Sequence, residues 1–214
     1  MKRYPHIIPL LLSGQSMARI AMNQALAGTK LSGITIDVGG GRSPDYLPYL
    51  DTSALTSLEP VDGRLSGIDF EKDPLPYKSG SIDTVLLCNT LEHVYNHAFL
   101  IGECARILKK AGTLVGFVPF FVGYHPDPED YFRYTRAALI RLLGERFGEV
   151  MITEAGGGPF LANFNTLCLS LPRILRPLAY LCYALLDAVF LFFRPQARVR
   201  TPLGYAFTAR TPHA

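Results

Sequence analysis

The chain has 214 residues, 49% apolar and 18% charged, with a formal charge of +3. That is enough apolar material for one sizeable α/β domain and leaves little room for a second. So small a net charge excludes a globally basic nucleic-acid binder, and no basic stripe interleaved with aromatics is visible.

At the N-terminus, Met1-Lys2-Arg3 and the apolar run from Ile7 to Leu12 imitate a signal peptide. The run is short, Pro9 interrupts it and no cleavage site follows, so secretion is not expected. Residues 1–30 read as an arm leading to a helix capped near Ser16. Cys88, Cys104, Cys168 and Cys182 are far apart and lie in apolar runs. They point to a reducing, cytoplasmic setting and give no reason to expect a metal.

From Ile34 to Glu154, short apolar runs alternate with longer helical patterns, the signature of βα units around a mostly parallel sheet. Ile34–Asp37 is the first expected strand, and it runs into Gly39-Gly40-Gly41. A helix is expected to begin at Ser43-Pro44. Further strands are expected at Ala54–Leu58, ending at Glu59 before Pro60, and as a short extended piece over Leu65–Phe70. Thr84–Cys88 is apolar enough to be buried on both faces. Asn96 starts a helix that ends at Lys109-Lys110, and strand Thr113–Val118 follows. Thr135 precedes another helix, with strands near Val150–Thr153 and Gly204–Thr208.

The strand–glycine–helix element offers bare backbone and free N–H groups to a ligand at the carboxyl edge of the sheet. Pro44 stands where a dinucleotide fingerprint wants its third glycine. Asp37 at the strand end would repel a pyrophosphate and suits a cationic ligand. A nicotinamide-dependent oxidoreductase is therefore the weaker alternative.

Four blocks, in order, resemble class I S-adenosylmethionine-dependent methyltransferases of the family 11 type. They are Asp37-Val38-Gly39-Gly40-Gly41; Asp69 to Tyr77; Ser81 to Val85 with Asn89 to Val94; and Arg106 to Leu114. The resemblance implies a three-layer α/β/α sandwich, with a seven-stranded, mostly parallel Rossmann-like sheet and an antiparallel last strand. It implies S-adenosyl-L-methionine as cofactor, approached by the backbone at Gly39 and Gly41, with Asp37 facing its amino-acid end. Glu59 would accept from the ribose hydroxyls, Asp69 from the adenine amino group, Phe70 would form an apolar wall and Asn89 would border the methionine. Glu92 and His93 are expected to pack and cap a turn.

The richest polar stretch, Tyr124 to Thr135, resembles a His-x-x-Pro-x-Asp-Tyr-x-Arg segment of the same family. His125 is the candidate base or acceptor-orienting group, with Tyr131 and Arg133 beside it. The opposing reading has Asp130, Arg133 and Thr135 only bracing the next helix.

An oily insert, about 157–200, separates the last two expected strands, and Pro172 and Pro177 divide it into two helices. Its second helix is apolar nearly all round and must be buried somewhere, with Arg194, Arg198 and Arg200 following it. Contact with the inner membrane face through 177–200, a lid, and a homodimer face are the expectations. The chain is thus read as one methyltransferase domain acting on a small-molecule or lipid-linked acceptor, with oxygen favoured. A non-catalytic module that docks to a membrane or partner is the other alternative.

Overall fold

The structure, a computed structural model, describes residues 6–41 and 43–212. Met1, Lys2, Arg3 and Arg42 lie outside the described residues. Six strands form one sheet: β1 (Lys30–Val38), β2 (Asp51–Val61), β3 (Ile82–Cys88), β4 (Leu108–Pro119), β5 (Glu149–Ala155) and β6 (Gly204–Arg210). Their order is β2-β1-β3-β4-β6-β5, and only β6 runs antiparallel to its neighbours.

The helices are α1 (Ile7–Ser13), α2 (Met17–Leu26), α3 (Gly63–Ser66), α4 (His97–Ile107), α5 (Arg136–Gly144), α6 (Pro159–Cys168), α7 (Arg176–Phe193) and α8 (Ala197–Arg200). On one face of the sheet, Leu100, Ile101 and Cys104 of α4 and Leu139 and Leu143 of α5 meet Val85 and Leu87. On the other, α2 and α6 bring Ile20, Met22 and Phe164 against Leu86, Val115 and Phe117. Val85 and Leu87 face the first core and Leu86 and Cys88 the second, which explains why the second half of β3 is apolar without a break.

Three local expectations are corrected. No α-helix follows Ser43-Pro44: a 3-10 turn at Leu47–Tyr49 carries the chain into β2, because Pro44 and Pro48 interrupt a stretch already short for a helix. Strand β2 does not end at Glu59; it continues through Pro60 to Val61, paired with Asp37 and Val38. Proline is tolerated there because β2 is the edge of the sheet, where one row of N–H groups needs no partner. Nor is Leu65–Phe70 a strand, so the sheet has six strands and not seven. That segment begins with α3 and continues into a turn held by the Asp69 carboxylate, which accepts from the Glu71 N–H at 2.9 Å.

In the insert, α6 ends before Pro172, Pro177 stands in the first turn of α7, and the short α8 follows. Within the chain one face of helix α7 stays uncovered: Leu178, Leu181, Leu185, Val189 and Phe192 are each more than half exposed. Arg173–Phe193 is long and apolar enough to cross a membrane by length and composition.

Candidate functional site

The carboxyl ends of β1, β3 and β4 open onto a cleft, and Asn89, immediately after β3, sits at its centre. Asn89 borders three adjoining cavities and holds a left-handed backbone, φ 51°. Its amide reaches Met22 Sδ at 3.4 Å. Next to it, the Thr90 hydroxyl donates to the Val38 carbonyl at 2.9 Å and fastens β3's exit to β1's.

The glycine loop is shaped from inside. Asp37 is 1% exposed, and the Tyr46 hydroxyl lies 2.7 Å from both of its carboxylate oxygens. Burial pushes its pKa up to about 6, and the Tyr46 hydrogen bond opposes the shift. A side chain at Gly40 would put a Cβ 2.3 Å from Asp37 Oδ2, so this glycine makes room for the buried acid. Gly39 has φ 81° and faces the Thr90 side chain, which a Cβ would strike at 2.5 Å. Bare backbone at Gly39 therefore reaches the cleft.

The first cavity, about 320 Å³, is bordered by Gly39, Asp62, Asp69, Phe70, Asn89 and the Asp127–Tyr131 flap. Five carboxylate residues, Asp62, Asp69, Glu71, Asp127 and Glu129, line it, and no lysine or arginine does among the described residues. Such a wall favours a cationic ligand and disfavours a phosphate. Asp69 also accepts from Lys72 Nζ at 2.9 Å, so it caps its own turn while facing the cavity.

The structure thus brings Gly39, Asp69, Phe70 and Asn89 together on one cavity. Gly41 is close by, and the atom nearest to a Cβ there would be Asp62 Oδ2 at 3.9 Å. Asp37 stands behind the loop and does not face the cleft. Glu59 is exposed on β2 and accepts from the Tyr77 hydroxyl at 3.1 Å, away from the cavity. The acid at the end of β2 is Asp62, which sequence reasoning missed. The signal was there, an acid directly after Val61, but it was hidden by treating Pro60 as the end of the strand.

His125 stands where two further cavities meet, one of them bordered by Ser16, Arg19, Tyr124, Asn165 and Leu169. The arm residues Ser16 and Arg19 are a second omission, since helix α2 forms part of the cleft wall. Asn165 of α6 explains its position by accepting from the Ala18 N–H at 2.8 Å. The ring of His125 lies with Nδ1 2.9 Å from the Gly123 carbonyl and Nε2 3.8 Å from Glu92 Oε1. Chiefly the facing Glu92, assisted by the Gly123 carbonyl and Asp130 and opposed by partial burial, raises its pKa above the ordinary imidazole value.

Arg133 braces rather than presents itself. It pairs with Asp130, which it holds down to about pKa 2, and donates to the carbonyls of Val122, Gly123 and Phe132. Thr135 caps α5 by accepting from the Ala138 N–H at 3.2 Å. Tyr131 is exposed and borders the first cavity.

A profile of the methyltransferase domain matches residues 45–116, a third of the chain. No curated protein matches the sequence. Several solved structures share the fold. One is a chain of the complex between the Haloferax volcanii Trm112 methyltransferase activator and a methyltransferase, at TM-score 0.55 and 15% identity, covering 96% of this chain and 93% of that one. Another is Haemonchus contortus phosphoethanolamine N-methyltransferase 2 in complex with S-adenosyl-L-methionine, at TM-score 0.53 and 13% identity. There the match covers 92% of this chain and 52% of that one, so this chain spans about half the length of that enzyme. A third is the [4+2]-cyclase SpnF, at TM-score 0.52 and 16% identity, covering 97% and 81% of the two chains. A cyclase on this fold means that the architecture alone does not choose the reaction.

Proposed function

We propose that this chain is an S-adenosylmethionine-dependent methyltransferase that methylates a small-molecule or lipid-linked acceptor, preferentially at oxygen. The observation that carries this reading is the cavity at the glycine loop, walled by five carboxylate residues. When bound, adenosylmethionine supplies a methyl carbon already activated by a sulfonium. The protein's own task is to hold, align and shield. Gly39 offers backbone at close range, Asp62 accepts from the ribose hydroxyls, and Asp69 and Phe70 hold the adenine. Asn89 borders the methionine end. Acceptors enter beside His125, which either takes the proton of an attacking hydroxyl or orients that hydroxyl.

Calorimetry with adenosylhomocysteine tests the site. Wild type binds it and does not bind NAD. Asp62→Ala weakens binding by about tenfold or more, as expected for losing a charge-assisted hydrogen bond, and Glu59→Ala leaves it unchanged. Preference for NAD would return the chain to the oxidoreductases. Loss in Glu59→Ala but not in Asp62→Ala would misplace the ribose. Binding without release of adenosylhomocysteine, across hydroxyl-bearing small and lipid-linked acceptors, would mark a non-catalytic module.

We also infer peripheral contact with an anionic membrane, placing the protein in the cytoplasm at the inner membrane face. The exposed stripe Leu178, Leu181, Leu185, Val189 and Phe192 is followed by Arg194, Arg198 and Arg200, all exposed. Apolar side chains flanked by cations suit the boundary between acyl chains and anionic headgroups. Leu169, 60% exposed, also borders the acceptor cavity, so the apolar surface reaches its mouth. Vesicle flotation tests this contact, and a face covered by a second copy of the chain is the competing outcome.

A further inference from the structure

Glu92 is fully buried, yet neither of its carboxylate oxygens has a hydrogen-bond partner. A carboxylate taken out of water without compensation is strongly disfavoured, so something of opposite charge belongs there. What faces it is a pair of imidazoles. His93 Nε2 lies 3.7 Å from Glu92 Oε1 and His125 Nε2 lies 3.8 Å from the same oxygen, both beyond hydrogen-bond distance. The rings meet edge to face with centroids 5.2 Å apart.

The remaining nitrogen of each ring decides what Nε2 presents. His93 Nδ1 is 2.6 Å from the Glu129 carbonyl, and His125 Nδ1 is 2.9 Å from the Gly123 carbonyl. A carbonyl only accepts, so in the neutral rings each Nδ1 carries the proton and each Nε2 turns a lone pair toward Glu92. Backbone carbonyls behind histidines are how proteins orient metal ligands. Arg133 Nη2 also lies 3.2 Å from His125 Nδ1, but Arg133 is engaged by Asp130 and by the same Gly123 carbonyl. Its charge is therefore balanced and stands on the far side of the ring from Nε2.

From this geometry we infer that Glu92 and the Nε2 atoms of His93 and His125 bind one divalent transition-metal cation at the edge of the acceptor cavity. One ligand atom from each residue lies within 4.8 Å of the others. A tetrahedral site with bonds of about 2.0–2.2 Å needs separations of roughly 3.4 Å, so the two 3.7–3.8 Å contacts close with small side-chain shifts. Two imidazoles and one carboxylate suit zinc, manganese, iron, cobalt or nickel better than calcium or magnesium. Three protein ligands leave positions open to water or substrate. The grouping is Glu92, His93 and His125 alone; Cys88, though it borders the same cavity as both histidines, is not among the three.

The role of the ion rests on the methyltransferase reading. A hydroxyl bound to the open position loses its proton to water more readily; the oxygen's electron pair forms the new O–C bond as the S–C bond of adenosylmethionine breaks, and its pair leaves with the sulfur of adenosylhomocysteine. His125 is then an orienting ligand and not the base.

Cobalt(II) is the probe. Chelator-treated full-length protein, titrated with cobalt chloride, should develop visible d–d absorption that saturates at one equivalent. His125→Asn, at a partly exposed position, should weaken this uptake by about tenfold or more, and His93→Ala likewise. Adenosylhomocysteine affinity, measured in parallel, should persist in His125→Asn. Failure of nucleoside binding with intact cobalt uptake would remove the methyltransferase role and keep the metal. No band at one equivalent, a thiolate charge-transfer band in its place, or unchanged uptake in both variants overturns the site.

Discussion

Asp37 and Tyr46 show how one buried pair of side chains can shape a glycine loop from behind. Asp37 is neutral more easily in the fold than in the unfolded chain, since burial lifts its pKa from 3.8 to about 6. Its stabilising contribution is therefore complete below the unfolded value and is lost as pH rises toward 6. Asp37→Asn keeps an acceptor for the Tyr46 hydroxyl and removes the ionisation. Relative to wild type, the variant should gain up to about 3 kcal/mol between pH ~4 and pH ~7.5, an upper bound from the size of the shift. Denaturant titration at the two pH values measures it, and an equal difference at both would contradict the buried-acid account. This pairing was not legible in the sequence. Asp37 and the glycines identify the loop, but nothing local indicates that Tyr46, nine positions on, turns back to cover the acid. Glu59 was read as the strand's end for a related reason: where β2 stops depends on whether it is an edge, and that is a property of the whole sheet.

At the scale of elements, the insert is a helical pair whose polar residues serve helix ends. Asp187, buried in an otherwise oily helix, accepts from the N–H groups of Phe160 and Leu161 at 3.1 and 2.7 Å. It caps α6 from α7 and meets the positive end of that helix's dipole. At the other end Arg176, also buried, donates to the carbonyls of Leu171 and Leu169 just beyond α6. Asp187→Ala should cost about 1–3 kcal/mol in urea unfolding, with Asp187→Asn milder. Wild-type stability in the alanine variant would mean that the carboxylate is not capping. The two helices and their dividing prolines were legible from composition. Their mutual capping was not, because it joins residues 26 and 27 positions apart. The existence of β3 was legible because Val85–Cys88 is a continuous apolar run, as a strand buried on both faces requires. Leu65–Phe70 read badly because a short, weakly patterned run has no periodicity to separate strand from turn.

For the molecule as a whole, the cleft at the strand ends and the oily outer face of α7 are separate surfaces that meet only near Leu169. They should be separable by mutation. Wild type should float with phosphatidylcholine vesicles containing phosphatidylglycerol, less so as salt rises, and poorly with phosphatidylcholine alone. Leu185→Glu with Phe192→Glu should abolish flotation and leave adenosylhomocysteine affinity unchanged. No flotation of wild type, together with sedimentation as a dimer that the double variant abolishes, would assign the face to a second copy.

The placement of β6 has a consequence for how the chain is made. Strand β5 pairs with nothing in the sheet except β6, and β6 also closes against β4. During synthesis β5 therefore emerges with both hydrogen-bonding edges bare, and stays so while the ribosome adds the whole of α6, α7 and α8. Until β6 slides between its two neighbours, the nascent chain exposes an unpaired strand beside a greasy helix, the combination most prone to sticking to other chains.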